Sequence, residues 1–160
     1  MNAIIEFFKT NFTKEVAVFL LSMIPIVELR GAIPVALSLD LDYKSSFLIS
    51  FIGSSIPAIL IVYLIGYVFI LLRKINFFDR LIDKITKKAL LKRDKIDKYG
   101  YWGLFLFVAI PLPGTGVWTG SLISHLLNMN KIKSIITVII GNLTAGIIVS
   151  IISGGIMYLF

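Results

Sequence analysis

Two long apolar stretches of this chain are each broken by a compact run of proline and glycine: MIPIVELRGAIPVALS at Met23 to Ser38 and AIPLPGTGVWTGSLIS at Ala109 to Ser124. Proline removes a backbone donor and glycine loosens a helix, so each break frees N–H and C=O groups where lipid supplies no partner. Such backbone persists only where protein or a water-filled cavity surrounds it. Many transporters build a substrate site near the bilayer midplane from two discontinuous segments contributed by two halves of the chain. The breaks therefore predict an all-α integral membrane protein and make transport the leading expectation.

Composition agrees. Of 160 residues, 58% are hydrophobic, and the mean hydropathy of +0.94 is far from that of a soluble domain. Uncharged runs at Ser45 to Leu72, Tyr99 to Asn130 and Ser134 to Phe160 each exceed the roughly 20 residues that a spanning helix needs. A fourth run, Val16 to Leu39, contains only Glu28 and Arg30. The length suits a single membrane domain, residues 1–160. The absence of cysteine excludes disulfides and thiolate metal sites.

The net charge of +7 is concentrated: ten of the sixteen Lys and Arg residues lie between Arg73 and Lys98, offset there by Asp79, Asp83, Asp94 and Asp97. A basic loop between apolar runs fits the positive-inside rule, and argues for a multi-pass protein of the plasma membrane with this loop cytoplasmic, and against nucleic acid as a partner. Within it Phe78, Leu81, Ile82, Ile85 and Ala89 recur at helical spacing, while Arg80, Lys84, Lys87 and Lys88 occupy other positions. This reads as an amphipathic helix on the cytoplasmic surface that attracts anionic headgroups, or as a topology signal alone. At the start, Ile4, Ile5, Phe8 and Phe12 share one face of an interfacial helix, and no cleaved signal peptide is expected.

Placing Ile24-Pro25 over Ile110-Pro111 superposes the two breaks and nearly aligns Gly53 with Gly141. Residues 1–72 and 99–160 then read as repeats joined by the 73–98 linker, each a broken segment, a short polar turn and a long apolar helix. Each arm of a break has about ten residues, so at about 1.5 Å per residue it reaches half the hydrocarbon thickness. Either the broken segments are re-entrant hairpins and the halves are inverted, or each is one kinked spanning helix and the halves are parallel. The PLPG turn favours re-entry, because it demands a sharp reversal.

Glu28 and Arg30 are the charged residues embedded in an apolar segment, where charge is costly enough to imply function. Residues two apart do not face each other on a regular helix, so pairing requires unwinding around Pro25, Gly31 and Pro34. Arg30 suits a phosphate or carboxylate, and Glu28 a cation or a proton; a structural ion pair is the alternative. In the second break, Pro111, Pro113, Gly114 and Gly116 set a turn whose N–H groups suit an anion; Thr115 and Thr119 add hydroxyl groups, and Trp118 either closes the pocket or anchors the chain at the membrane interface. Asn142 and Thr144, opposite Ser54 and Ser55 in the repeat, either line the same cavity or bond between helices. His125, the only histidine, is a further candidate for a proton role, with an ordinary interfacial residue as the alternative. No hydrolase, phosphate-loop or HExxH metal motif occurs, so neither an enzyme nor a cofactor is expected.

ELRGAIP at Glu28 to Pro34 and PLPGTGVWTG at Pro111 to Gly120, separated by a basic loop, resemble the small multidrug export protein family. That family is in turn similar to the DedA superfamily. This resemblance implies paired re-entrant hairpins and a lipid-linked phosphate or small amphiphile as substrate. Glu28 matches the acidic position of the first DedA hairpin, and the proline-rich break matches the second. The arginines typical of the second DedA hairpin are missing here, and Arg30 stands in the first. The expected mechanism is alternating exposure of a midplane site, with ion coupling through Glu28. The competing function is a membrane scaffold or a subunit of a larger complex, and self-association into a homo-oligomer fits either.

Overall fold

The computed structural model describes residues 12–72, 82, 83, 86, 87, 93–112 and 114–159. The expected N-terminal helix and most of the 73–98 linker lie outside them, as does Pro113. The described elements are helices in the order α1 (Lys14–Met23), α2 (Glu28–Ser38), α3 (Tyr43–Leu72), α4 (Arg93–Ala109), α5 (Val117–Leu126) and α6 (Lys131–Leu159). They form two compact units, residues 1–57 with 142–160, and residues 58–141. Both long helices contribute to each unit, α3 dividing after Pro57 and α6 before Asn142.

In the first unit α1 and α2 fold back on each other. The chain reverses at Ile24, whose extended backbone (φ −78°, ψ 133°) is what a following proline imposes. At the open end Lys14 Nζ lies 4.0 Å from Asp40 Oδ2, which brings the start of α1 to the residue beyond α2. Packing explains the pairing. Ala17, Val18, Leu21 and Ser22 form the buried stripe of α1, and Val18 and Leu21 pack with Ala32 and Ala36 of α2. Leu29, Ile33 and Leu37, on the neighbouring face of α2, join Val149 of α6 with Phe47 and Phe51 of α3. The small alanines permit close approach, which is what holds helices together where lipid weakens the hydrophobic drive.

Gly53 of α3 sits directly against α1: a Cβ there would be 2.7 Å from the Phe19 carbonyl oxygen and in collision with Ser22 Oγ. Also in this unit, Tyr43 touches Gly154, Phe47 touches Gly146, and Asn142 Nδ2 donates to Ser54 Oγ at 2.8 Å and Ser55 Oγ at 3.2 Å. Advancing along α3 thus means retreating along α6, so these portions run antiparallel. Asn142→Leu is expected to lower thermal stability in detergent by roughly 0.6–1.7 kcal/mol, the range for a hydrogen bond between membrane helices.

The second unit is built around α4 and α5. α4 kinks at Gly100 (φ 56°), and its apolar part, Tyr99–Ala109, packs on α5. Leu104, Val108, Val117, Ile123 and Val138 share a core with Ala58. The open end is closed by the Asn130 N–H, which donates to the Tyr101 hydroxyl at 3.1 Å. A Cβ on Gly141 would lie 2.9 Å from Val108 Cβ and 3.1 Å from the Phe105 carbonyl oxygen.

Both second arms stop in the same way. Asp40 (φ 58°) and Asn128 (φ 52°) take the left-handed conformation. Leu41 N–H reaches the Ala36 carbonyl at 3.2 Å, Met129 N–H reaches that of Ser124 at 3.0 Å, and Asp40 and Asn128 N–H bond Leu37 and His125. These are Schellman ends, which satisfy otherwise orphaned carbonyls. The long helices then start on matching caps: Asp42 Oδ2 accepts from Ser45 N–H at 3.0 Å, and Asn130 Oδ1 from Lys133 N–H at 3.2 Å. The Ser45 bonds hold the Asp42 carboxyl below the usual carboxylate range.

The long helices are apolar on all sides. Tyr43–Leu71 and Lys131–Gly154 are long and apolar enough to span a bilayer, and only 39% and 33% of their most apolar windows are buried. Ile132, Ile136, Ile140, Leu143, Ile147 and Ile151 form an exposed stripe along α6. An exposed apolar stripe of this length suits lipid better than water.

Candidate functional site

The first break is shorter than its composition predicts. Only Ile24 to Val27 leaves the helix; Val27 and Glu28 N–H bond the Ile24 carbonyl at 3.1 and 2.8 Å. Gly31 and Pro34, expected in unwound chain, lie inside α2, and Gly31 N–H bonds the Val27 carbonyl at 2.9 Å. A tight turn anchored on one carbonyl suffices to reverse the chain.

Glu28 opens α2 with φ 48°, a conformation that costs an ordinary residue on the order of 1 kcal/mol. That departure from helical geometry lets residues two apart meet, and Arg30 Nη1 donates to Glu28 Oε2 at 3.4 Å. The side chains retain only 17% and 9% of their exposure, for Arg30 and Glu28 respectively. An ion pair this desolvated gains little net stability, because the loss of hydration offsets the attraction. Strain and buried charge thus coincide at Glu28.

In the second unit Leu112 accepts from Thr115 N–H at 3.2 Å across a turn in which Gly114 has φ 74°, the value required at the third position of a type II turn. The Thr115 hydroxyl donates to the Leu112 and Ile110 carbonyls at 2.7 and 3.0 Å, satisfying backbone near Pro111. Gly116 (φ 128°, ψ −167°) begins α5 without a side-chain cap, a geometry that only glycine adopts readily. Trp118 and Thr119 follow in its first turn, half-buried. His125, also half-buried, lies against α3: a Cβ on Gly66 would be 2.9 Å from its Cε1.

The expected residues thus fall into two groups. Glu28, Arg30, Gly31, Pro34 and Asn142 belong to the first unit; Pro111, Gly114, Thr115, Gly116, Trp118, Thr119 and His125 to the second. Of the two roles open to Asn142, the interhelical hydrogen bonds are the ones formed. Ser54, expected opposite Asn142, is joined on α3 by two buried serines that were not expected at the site, Ser46 and Ser50. Their spacing of one helical turn was a legible signal of a polar stripe in an apolar helix.

Residues 28–148 match the family described as "Putative small multi-drug export protein". No curated protein and no solved structure gives a match. The match begins at Glu28 and takes in both embedded charges, the whole second break and most of both long helices, whose length and exposed apolar surface suit a membrane. The chain belongs to the small multi-drug export protein family.

Proposed function

We propose that this protein is a small plasma-membrane exporter, not an enzyme, in which Glu28 and Arg30 bind the charged part of the substrate or the coupling ion. The carrying observation is the buried Glu28–Arg30 pair held at a strained break inside an apolar hairpin. Substrates with a charged head and an apolar body fit this combination: a small amphiphile, as the family description suggests, or a lipid-linked phosphate, as the resemblance to DedA proteins implies. The buried serine row of α3 adds polar groups to the same unit.

In this proposal both broken segments re-enter the membrane and the halves are inverted, with the 73–98 loop cytoplasmic. Two observations support it. Each broken segment folds back so that its ends meet, and α3 runs antiparallel to α6 where they touch. Four spanning segments would instead send α3 and α6 across in the same direction.

The topology is tested in this cysteine-free chain by Asn130→Cys, with Lys44→Cys as an external reference, using an impermeant thiol reagent on intact cells and inverted vesicles. The expected result is labelling of Lys44→Cys from outside and of Asn130→Cys from the cytoplasm. Labelling of both from outside overturns re-entry. Function is tested by flux of fluorescent amphiphiles and short-chain phosphate lipids in reconstituted vesicles, and absence of flux for every probe counts against export.

A further inference from the structure

We propose that the second unit carries a binding site for one anionic phospholipid, built from an aromatic groove between α4 and α6 and the cation above it. The groove has a volume of about 310 Å³ and is lined by Tyr101, Trp102, Phe105, Thr137 and Ile140. That volume lies at the lower end of the range for small-molecule sites and suits a single acyl chain. The lining is apolar in effect, because the Thr137 hydroxyl is already bonded to the Lys133 carbonyl at 2.7 Å.

Charge decides which lipid. Lys133 stands one helical turn before Thr137 and so on the same side of α6, roughly 6 Å toward the helix start. It is exposed, and Lys131 two residues away lies over the Tyr63 ring at 5.2 Å. No Asp or Glu occurs from Tyr99 to Phe160, so nothing in that stretch neutralises this end. The α6 N-terminus adds a partial positive charge. Trp102, 73% exposed and edge-to-face with Phe105, has the amphipathic ring that settles at the headgroup level. A phosphate at Lys133 and an acyl chain along Phe105 and Ile140 use both features together. The site uses none of the Glu28–Arg30 residues and does not depend on what is transported.

The chain has two tryptophans, so Trp118→Phe leaves Trp102 as the sole reporter. This variant is reconstituted into phosphatidylcholine vesicles containing dibrominated phosphatidylglycerol or dibrominated phosphatidylcholine. The expected result is about fivefold stronger association of the anionic lipid, the factor that one well-placed cation gives at a membrane surface. Lys133→Gln brings the ratio to about one, and Ile140→Phe, which fills the groove, weakens quenching by the anionic lipid. Equal quenching by the two lipids, or a preference that Lys133→Gln leaves unchanged, overturns the proposal; so does no quenching by either, which assigns the groove to a second protein copy. Native mass spectrometry of the unmodified protein and Lys133→Gln gives the same comparison without the tryptophan change: equal retention of phosphatidylglycerol by both also overturns it.

Discussion

Neutralising both embedded charges, as in Glu28→Gln/Arg30→Gln, is expected to abolish export while leaving thermal stability within about 1 kcal/mol of the unmodified protein. The stability half follows from desolvation: removing both charges removes the cost of burying them together with their attraction, and the two nearly cancel in a buried pair. The single variant Arg30→Ala behaves differently. It leaves the Glu28 carboxyl, nine-tenths buried, without its partner guanidinium, and removing one member of such a pair typically costs about 3–5 kcal/mol. Flux in vesicles and thermal unfolding in detergent, measured on both variants, separate function from structure. A double variant that exports at the unmodified rate would falsify the role of the pair. A double variant as unstable as Arg30→Ala would show instead that the pair holds the break together.

The second large effect is purely structural. Gly53→Val is expected to cost more than about 3 kcal/mol, at or beyond the upper end for overpacking. Its Cβ would enter the space of both Ser22 Oγ and the Phe19 carbonyl, and the Ser22 hydroxyl is itself bonded to that carbonyl at 2.7 Å. Adding Ser22→Ala should recover only part of the loss, since the second obstacle is backbone and cannot rotate away. Gly141→Ala meets Val108 and the Phe105 carbonyl at longer distances and should cost less. Unfolding midpoints would rank the three; equal stability of Gly53→Val and the unmodified protein would refute the close approach of α3 to α1.

Much of the helix plan was legible because the relevant signals are local. A proline fixes its own φ and biases the residue before it, so Pro25 and the Pro111–Gly116 run marked where helices must stop. Runs of apolar residues longer than a bilayer is thick marked α3 and α6. Embedded charge is rare enough in such runs that Glu28 and Arg30 stood out as the candidate site. The extent of the first break was not legible: Gly31 and Pro34 look like breakers, yet both are accommodated in α2, where burial of Leu29, Ala32, Ile33, Ala36 and Leu37 opposes local costs of about 1 kcal/mol for a glycine and about 3 kcal/mol for a proline.

Sequence by itself determined that this chain is helical, apolar and interrupted at two places, since periodicity, length and proline chemistry act within a few residues. Only tertiary structure decided that each interruption reverses the chain, that α3 and α6 run antiparallel where they meet, and that Asn142 spends its amide on Ser54 and Ser55. Those outcomes depend on which side chains meet across long separations in sequence, and contacts of that kind are fixed by packing, not by any local preference of the residues that make them.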